Sequence, residues 1–69
     1  MSQNKKILEY MQRHGSITPV DAIREFGCMR LSARIHDLRA EGHNVRSEMV
    51  NGKNRDGDPV RFARYWVDD

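Results

Sequence analysis

Residues 18–42 read TPVDAIREFGCMRLSARIHDLRAEG, two helix-length segments divided by Gly27-Cys28. Thr18 offers a hydroxyl to first-turn amides, and Pro19 fits a first helical position, where its missing N–H is no loss. Helix 2 is therefore expected over about residues 19–26, with Ala22, Ile23 and Phe26 as its apolar side and Gly27 as a left-handed stop. The second segment places Leu31, Ile35 and Leu38 at i, i+4 and i+7, so helix 3 is expected over about residues 29–41, ended by Gly42. At 100° per residue these apolar side chains fall within about 60° of arc. Met29, Ala33, His36, Asp37 and Ala40 then point away from the stripe, and Arg30, Ser32, Arg34 and Arg39 flank it. Cys28 reads as a small side chain filling the inter-helix turn.

Upstream, NKKILEYMQRH carries Ile7, Leu8 and Met11 on one helical face. Helix 1 is expected over about residues 4–14, with Asn4 as N-cap and Gly15 as stop. Ile17, between Ser16 and Thr18, is placed to form a short strand. Downstream, the period changes. HNVRSEMVN and PVRFARYWV are rich in β-formers with partial two-residue alternation, and NGKNRDGD between them is rich in turn formers. A β-hairpin is expected over about residues 44–67. Both Asn51-Gly52 and Asp56-Gly57 suit a tight turn, and a long, flexible tip from Asn51 to Pro59 is the favoured reading. Tyr65 and Val67 then face the helices and leave Phe62 and Trp66 partly exposed; the opposite parity satisfies the alternation as well.

A length of 69 residues allows one domain, 1–69, with one small core and little interior for a deep catalytic cleft. Twelve Lys and Arg against ten Asp and Glu give a net charge of +2, too weak a bias to identify a partner by itself. The lone Cys28 excludes an intrachain disulfide, and no charged segment leads into an apolar run as in a secretory signal, so a cytoplasmic location is expected. No apolar run approaches the about 18 residues needed to cross a bilayer, so no membrane partner is expected.

The expected fold class is α+β: three helices followed by a β-hairpin wing, with a short strand near Ile17, the layout of a winged helix-turn-helix. The stretch ILEYMQRHGSITPVDAIREFGCMRLSARIHDLRAEGHNVRSE, residues 7–48, resembles the small helix-turn-helix proteins of bacteriophages and prophages. Their pattern runs GSITPxEAxxxFGCxRLxARIxDLRxxGxxI. The resemblance rests on the SITP cap, the FGCMRLSARI turn and the IHDLRAEGHNV exit, and it implies a winged-helix fold and DNA binding. Residues 51–59 depart from that pattern.

On this reading the partner is double-stranded DNA, and helix 3 enters the major groove. Arg30 and Ser32, placed in its first turn, are the leading base readers, because arginine bonds guanine O6 and N7 in a bidentate manner. His36 can reach a base edge or phosphate, Ala33 permits close approach to a thymine methyl, and Arg34 and Arg39 flank the helix toward phosphates. Arg34 can instead pair with Asp37, and Arg39 can reach Glu41 or helix 1. Lys53 and Arg55 at the hairpin tip are candidates for backbone or minor-groove contact, opposed by Asp56 and Asp58. Thr18 and the first amides of helix 2 can face a phosphate, although capping explains Thr18 equally well. The expected role is a phage or prophage transcriptional regulator or a recombination accessory factor. A module this small calls for a homodimer or tandem sites to gain affinity.

Catalysis is not expected. Ser32, His36 and Asp37 lie within two turns of one exposed helix, without a pocket or oxyanion donors. His14, His36, His43 and Cys28 lack metal-ligand spacing, and the glycines do not form a phosphate loop, so no cofactor is expected. A competing reading is a protein-binding module on the same frame, such as a phage inhibitor of a host protein, favoured by low net charge and by exposure of Phe62 and Trp66.

Overall fold

A computed structural model describes residues 2–69. Three helices, α1 (Gln3–His14), α2 (Pro19–Phe26) and α3 (Leu31–Ala40), precede two antiparallel strands, β1 (Val45–Lys53) and β2 (Pro59–Val67). This is the expected α+β arrangement. The short strand expected near Ile17 is a single antiparallel bridge: Ile17 N donates to Tyr65 O at 2.8 Å, and Tyr65 N returns to Ile17 O at 2.9 Å. That pair of bonds ties the segment between α1 and α2 to the base of the hairpin.

The helix ends are set by local chemistry. Ser2, not Asn4, caps α1, its hydroxyl accepting from Lys5 N at 3.2 Å. Asn4 lies within the helix, where its Nδ2 reaches Asp37 Oδ2 at 3.4 Å. Thr18 and Asp21 form a reciprocal capping box at the start of α2, which begins and ends where the sequence predicts. Gly27, at φ 63°, adopts the left-handed conformation that stops α2. Its amide donates to Ile23 O at 2.9 Å and the Cys28 amide to Ala22 O at 3.0 Å. α3 is shorter than expected at both ends. Arg30 (φ −126°, ψ 59°) is its non-helical N-cap, Met29 belongs to the turn, and Glu41 caps the C-terminus. Gly42 N to Arg39 O and His43 N to Leu38 O, each 3.1 Å, then complete a Schellman exit.

One core gathers the inward side chains of these elements. Ile7 and Met11 of α1, Ile17, Ala22, Cys28, Val45, and Leu31, Ile35 and Leu38 of α3 are buried together, with Leu8, Tyr10, Phe26, Tyr65 and Val67 packed around them. Cys28 fills the turn as expected. Tyr65 and Val67 face the helices, which resolves the strand parity. Ile23 departs from expectation: it is 49% exposed, because Ala22 and Phe26 alone turn α2 toward the core.

The hairpin register pairs Val45 with Val67 and ends with Lys53 opposite Pro59. The expected long tip from Asn51 to Pro59 is therefore corrected: Asn51 and Gly52 lie in β1, and the loop spans only Asn54–Asp58. The reason is Asn54, whose Oδ1 accepts from the amides of Asp56 (3.0 Å) and Asp58 (2.9 Å) while its backbone bonds Asp58 and Gly57. Within the strand, Gly52 makes room for an aromatic ring. A Cβ there would meet Phe62 Cε1 at 3.0 Å, so Phe62 lies over the glycine on the face away from the helices.

Truncating the center of the α3 stripe tests this packing. Ile35→Ala, at a side chain 1% exposed, is expected to lower unfolding free energy by about 2–4 kcal/mol in urea titration. Thr18→Ala should remove about 1 kcal/mol by the same measurement.

Candidate nucleic-acid interface

α3 turns Leu31, Ile35 and Leu38 inward, and this rotation fixes which side chains remain outside. Ser32, His36, Arg39 and Ala40 are exposed, whereas Ala33, Arg34 and Asp37 are half-buried. The outer face is thus displaced from the expected one. The start of α1 covers its Ala33–Asp37 flank: Asn4 bonds Asp37, and Arg34 Nη2 stands 3.2 Å from Asp37 Oδ2 in the same seam. Arg34 Nε and Asn4 Oδ1 are buried there without a hydrogen-bond partner. The pairing of Arg34 with Asp37 that the sequence allows is the one adopted.

Arg39 takes neither alternative raised by its spacing. Its Nε donates to Val45 O at 2.9 Å, bracing α3 against the first residue of β1. Thr18 is likewise committed. Its amide donates to Asp21 Oδ2 at 3.0 Å and its hydroxyl accepts from Asp21 N at 3.3 Å, so both polar groups serve the cap.

Arg30 has no such engagement. It is exposed at the α3 N-terminus, whose opening amides receive no side-chain cap. An open hollow of about 340 Å³ adjoins it, lined by Gln3, Gly27, Cys28, Met29, Arg30, Ala33 and Arg34. Met29, 82% exposed, forms its apolar lip. The uncapped helix end and the unpaired Arg30 guanidinium give this corner a positive character.

Ion pairing sorts the remaining cations. Arg24 pairs with Asp21 and Glu25, Arg46 with Asp68, and Arg64 with Glu48. Among the described residues, Arg30, Lys53, Arg55 and Arg61 have no carboxylate within ion-pair distance, in contrast to those three. Register places Lys53 and Arg61 on the hairpin face shared with Val45 and Tyr65, the face that meets the helices nearer the body. By sequence both Arg61 and Arg64 lie along the return strand; the register separates them, placing Arg61 on the helix-facing side and Arg64 on the other, where it pairs with Glu48. Lys53 ends β1 and Arg55 stands in the Asn54–Asp58 loop, both exposed. Asp56 and Asp58 turn their amides to Asn54, yet neither carboxylate pairs with Lys53 or Arg55.

The chain matches the winged helix-turn-helix domain family over residues 2–69. It belongs to that family. In this winged-helix domain α2 and α3 form the helix-turn-helix, and the β1–β2 hairpin is the wing. No curated protein and no solved structure matches the chain significantly. Domains of this type typically bind DNA and are not enzymes. Among the described residues no helix is long and apolar enough to cross a membrane, and no group of three or more His, Cys, Asp or Glu is placed to hold a metal ion. Ser32, His36 and Asp37 do not converge: Ser32 and His36 are exposed, and Asp37 is engaged by Arg34 and Asn4.

The joint between α3 and the wing carries an electrostatic latch. Asp69 accepts from Asn44 N through Oδ1 at 2.8 Å and lies 2.9 Å from His43 Nδ1 through Oδ2. Asn44 also bonds the Asp68 backbone in both directions. The Asn44 amide first, and His43 second, hold the Asp69 carboxyl below the usual carboxylate range. A depressed carboxyl pKa means that the folded state favors the ionised form. The latch is therefore complete above the ordinary carboxylate pKa and is lost as pH falls through the lower folded value. An NMR titration should show the Asp69 carboxyl and the Asn44 amide sharing one midpoint below that range. Asp69→Asn should abolish the shared midpoint.

Proposed function

We propose that this single winged-helix domain binds double-stranded DNA, with α3 in the major groove and the wing alongside it on the sugar-phosphate backbone. The observation that supports the reading is that, among the described residues, unpaired cations stand at the opening of α3 (Arg30) and along the wing (Lys53, Arg55 and Arg61); Lys5, Lys6 and Arg13 of α1 and Arg39 also lack a carboxylate partner. A net charge of +2 conceals this arrangement, because much of the acid is spent on pairs with Arg24, Arg34, Arg46 and Arg64.

In this reading Arg30 and Ser32 contact base edges, His36 follows one turn later on the exposed side, and Ala33, half-buried beside the start of α1, lies at the edge of the contact surface. Arg34 is a phosphate contact in reserve. Its Nε finds no acceptor in the seam with α1, which lowers the cost of drawing the guanidinium toward a backbone oxygen. Arg39 keeps α3 aligned with the wing, and its outer nitrogens remain available to phosphate. Thr18 acts through its cap rather than through a ligand. Lys53, Arg55 and Arg61 supply the sequence-independent attraction.

The role that fits a small basic reader of this shape is regulation of transcription or assistance to recombination in a phage or prophage setting, within the cytoplasm. The alternative of a host-protein inhibitor rests on the low net charge and on Phe62 and Trp66, which are partly exposed on the outer face of the hairpin, the one over Gly52 and the other beneath the Arg64 guanidinium at 5.7 Å.

Fluorescence titration against mixed-sequence duplex at several salt concentrations tests the reading. Log affinity should fall against log salt with a slope of about −4 to −5, corresponding to about five phosphate contacts. Lys53→Ala and Arg55→Ala should each reduce that slope by about one, whereas Arg30→Ala should cost about 1–3 kcal/mol on a selected site and relax its preference. Absence of binding at low salt, or full affinity after Arg30→Ala, refutes the assignment.

A further inference from the structure

Among the described residues, the large apolar side chain left most open is Met29, 82% exposed although Cys28 before it is buried. It stands in the turn between α2 and α3, directly before Arg30, the non-helical N-cap of α3. An apolar residue ahead of a cap has an ordinary structural use, a staple in which it packs on the fourth residue of the helix. That residue is Arg34, whose guanidinium lies in the seam with Asp37, and the exposure of Met29 shows that no staple forms. Met29 shares the open hollow with Arg30, Ala33 and Arg34, so it faces the same side as the opening turn of α3. Ala33, the group that the sequence offers to a thymine methyl, is half-buried toward α1. Beside exposed Arg30 and Ser32, the apolar surface on offer is therefore that of Met29.

We propose that Met29 is a specificity-determining residue that packs on the C5-methyl group of a thymine in the major groove, next to the guanine engaged by Arg30. The inference rests on α3 entering that groove. Base edges there present hydrogen-bond donors and acceptors, and the thymine methyl is the apolar feature among them. A side chain without a donor gains nothing from a phosphate, whereas it excludes water from a methyl. Consecutive Cα atoms lie about 3.8 Å apart and successive base pairs about 3.4 Å, so Met29 and Arg30 fall on neighboring pairs. An unbranched thioether with three rotatable bonds adapts to such a contact. Arg30 alone reads a guanine; with Met29 it reads a guanine and an adjoining thymine. The setting of Met29, beside unpaired Arg30 and the uncapped amides of α3, favors a polyanion over a protein surface as the occupant.

A thymine-to-uracil scan provides the test, because deoxyuridine removes the methyl group and keeps the base pairing. The unsubstituted chain first selects a preferred site from a random duplex pool. Fluorescence anisotropy then measures its affinity for that duplex with each thymine replaced in turn. Replacing the thymine beside the guanine at which Arg30→Ala relaxes preference should weaken binding about fourfold, the worth of one buried methyl. Met29→Ala should bind the thymine duplex at least about fourfold more weakly and should bind the thymine and uracil duplexes alike, whereas Met29→Leu, similar in volume, should keep the difference. A scan without effect beside that guanine, or a thymine–uracil difference that survives Met29→Ala, overturns the role of Met29 and leaves DNA binding standing. Binding without any selected sequence does the same. Failure to bind any duplex at low salt, the outcome that a protein partner would give, overturns both. Met29 is exposed, so far-ultraviolet circular dichroism of its variants should be unchanged; Met29→Gln, equal in length, replaces Met29→Ala if that variant fails to fold, and the scan on the unsubstituted chain needs no variant.

Discussion

Burial of Leu31, Ile35 and Leu38 against Ile7, Met11, Ile17 and Val45 is the constraint on which the other features depend. The stripe fixes the rotation of α3 about its axis, and that rotation alone decides that Ser32 and His36 face solvent while Arg34 and Asp37 are drawn under the start of α1. Among the described residues one core cluster holds α3, so weakening the stripe weakens its main attachment. Loss of packing at Ile35 would therefore disturb the presented surface as well as the fold.

The base of the hairpin joins this core through buried Val45, with Tyr65 and Val67 packed beside it, and hydrogen bonds fix its orientation. The Ile17–Tyr65 bridge holds one side, the Arg39–Val45 bond holds the other, and the Asn44–Asp69 latch closes the joint. Beyond Val45 and Val67 the wing supports itself, with Phe62 over Gly52 on one face and Asn54 gathering the tip. The domain thus combines a helix oriented by apolar burial with a ribbon oriented by backbone geometry, and each carries unpaired cations, as does α1.

Much of this was legible in the sequence because the determinants are local. Thr18-Pro19 and Gly27 set the ends of α2, the i, i+4, i+7 stripe identified α3, and alternation identified the strands. What escaped was decided by partners distant along the chain. Asn4 and Ser2 are both competent caps, and the choice follows from how α1 packs on α3, where Asn4 meets Asp37. Ile23 resembles a core residue in spacing, but an eight-residue helix has only one inward side, and Ala22 and Phe26 occupy it. The outer face of α3 is displaced because the start of α1 covers one flank. The tip shortened because Asn54 satisfies several amides at once, an outcome that turn propensity at two competing Asx-Gly pairs could not rank.

The position of Asn51-Gly52 inside β1 has a chemical consequence as well. In a mobile loop this dipeptide is the sequence most prone to cyclise through the glycine nitrogen and convert asparagine to aspartate or isoaspartate. A paired, extended backbone disfavors that ring closure, and the aromatic ring resting on Gly52 holds the segment in place. The wing is thereby shielded against spontaneous ageing that would add negative charge directly opposite Arg61.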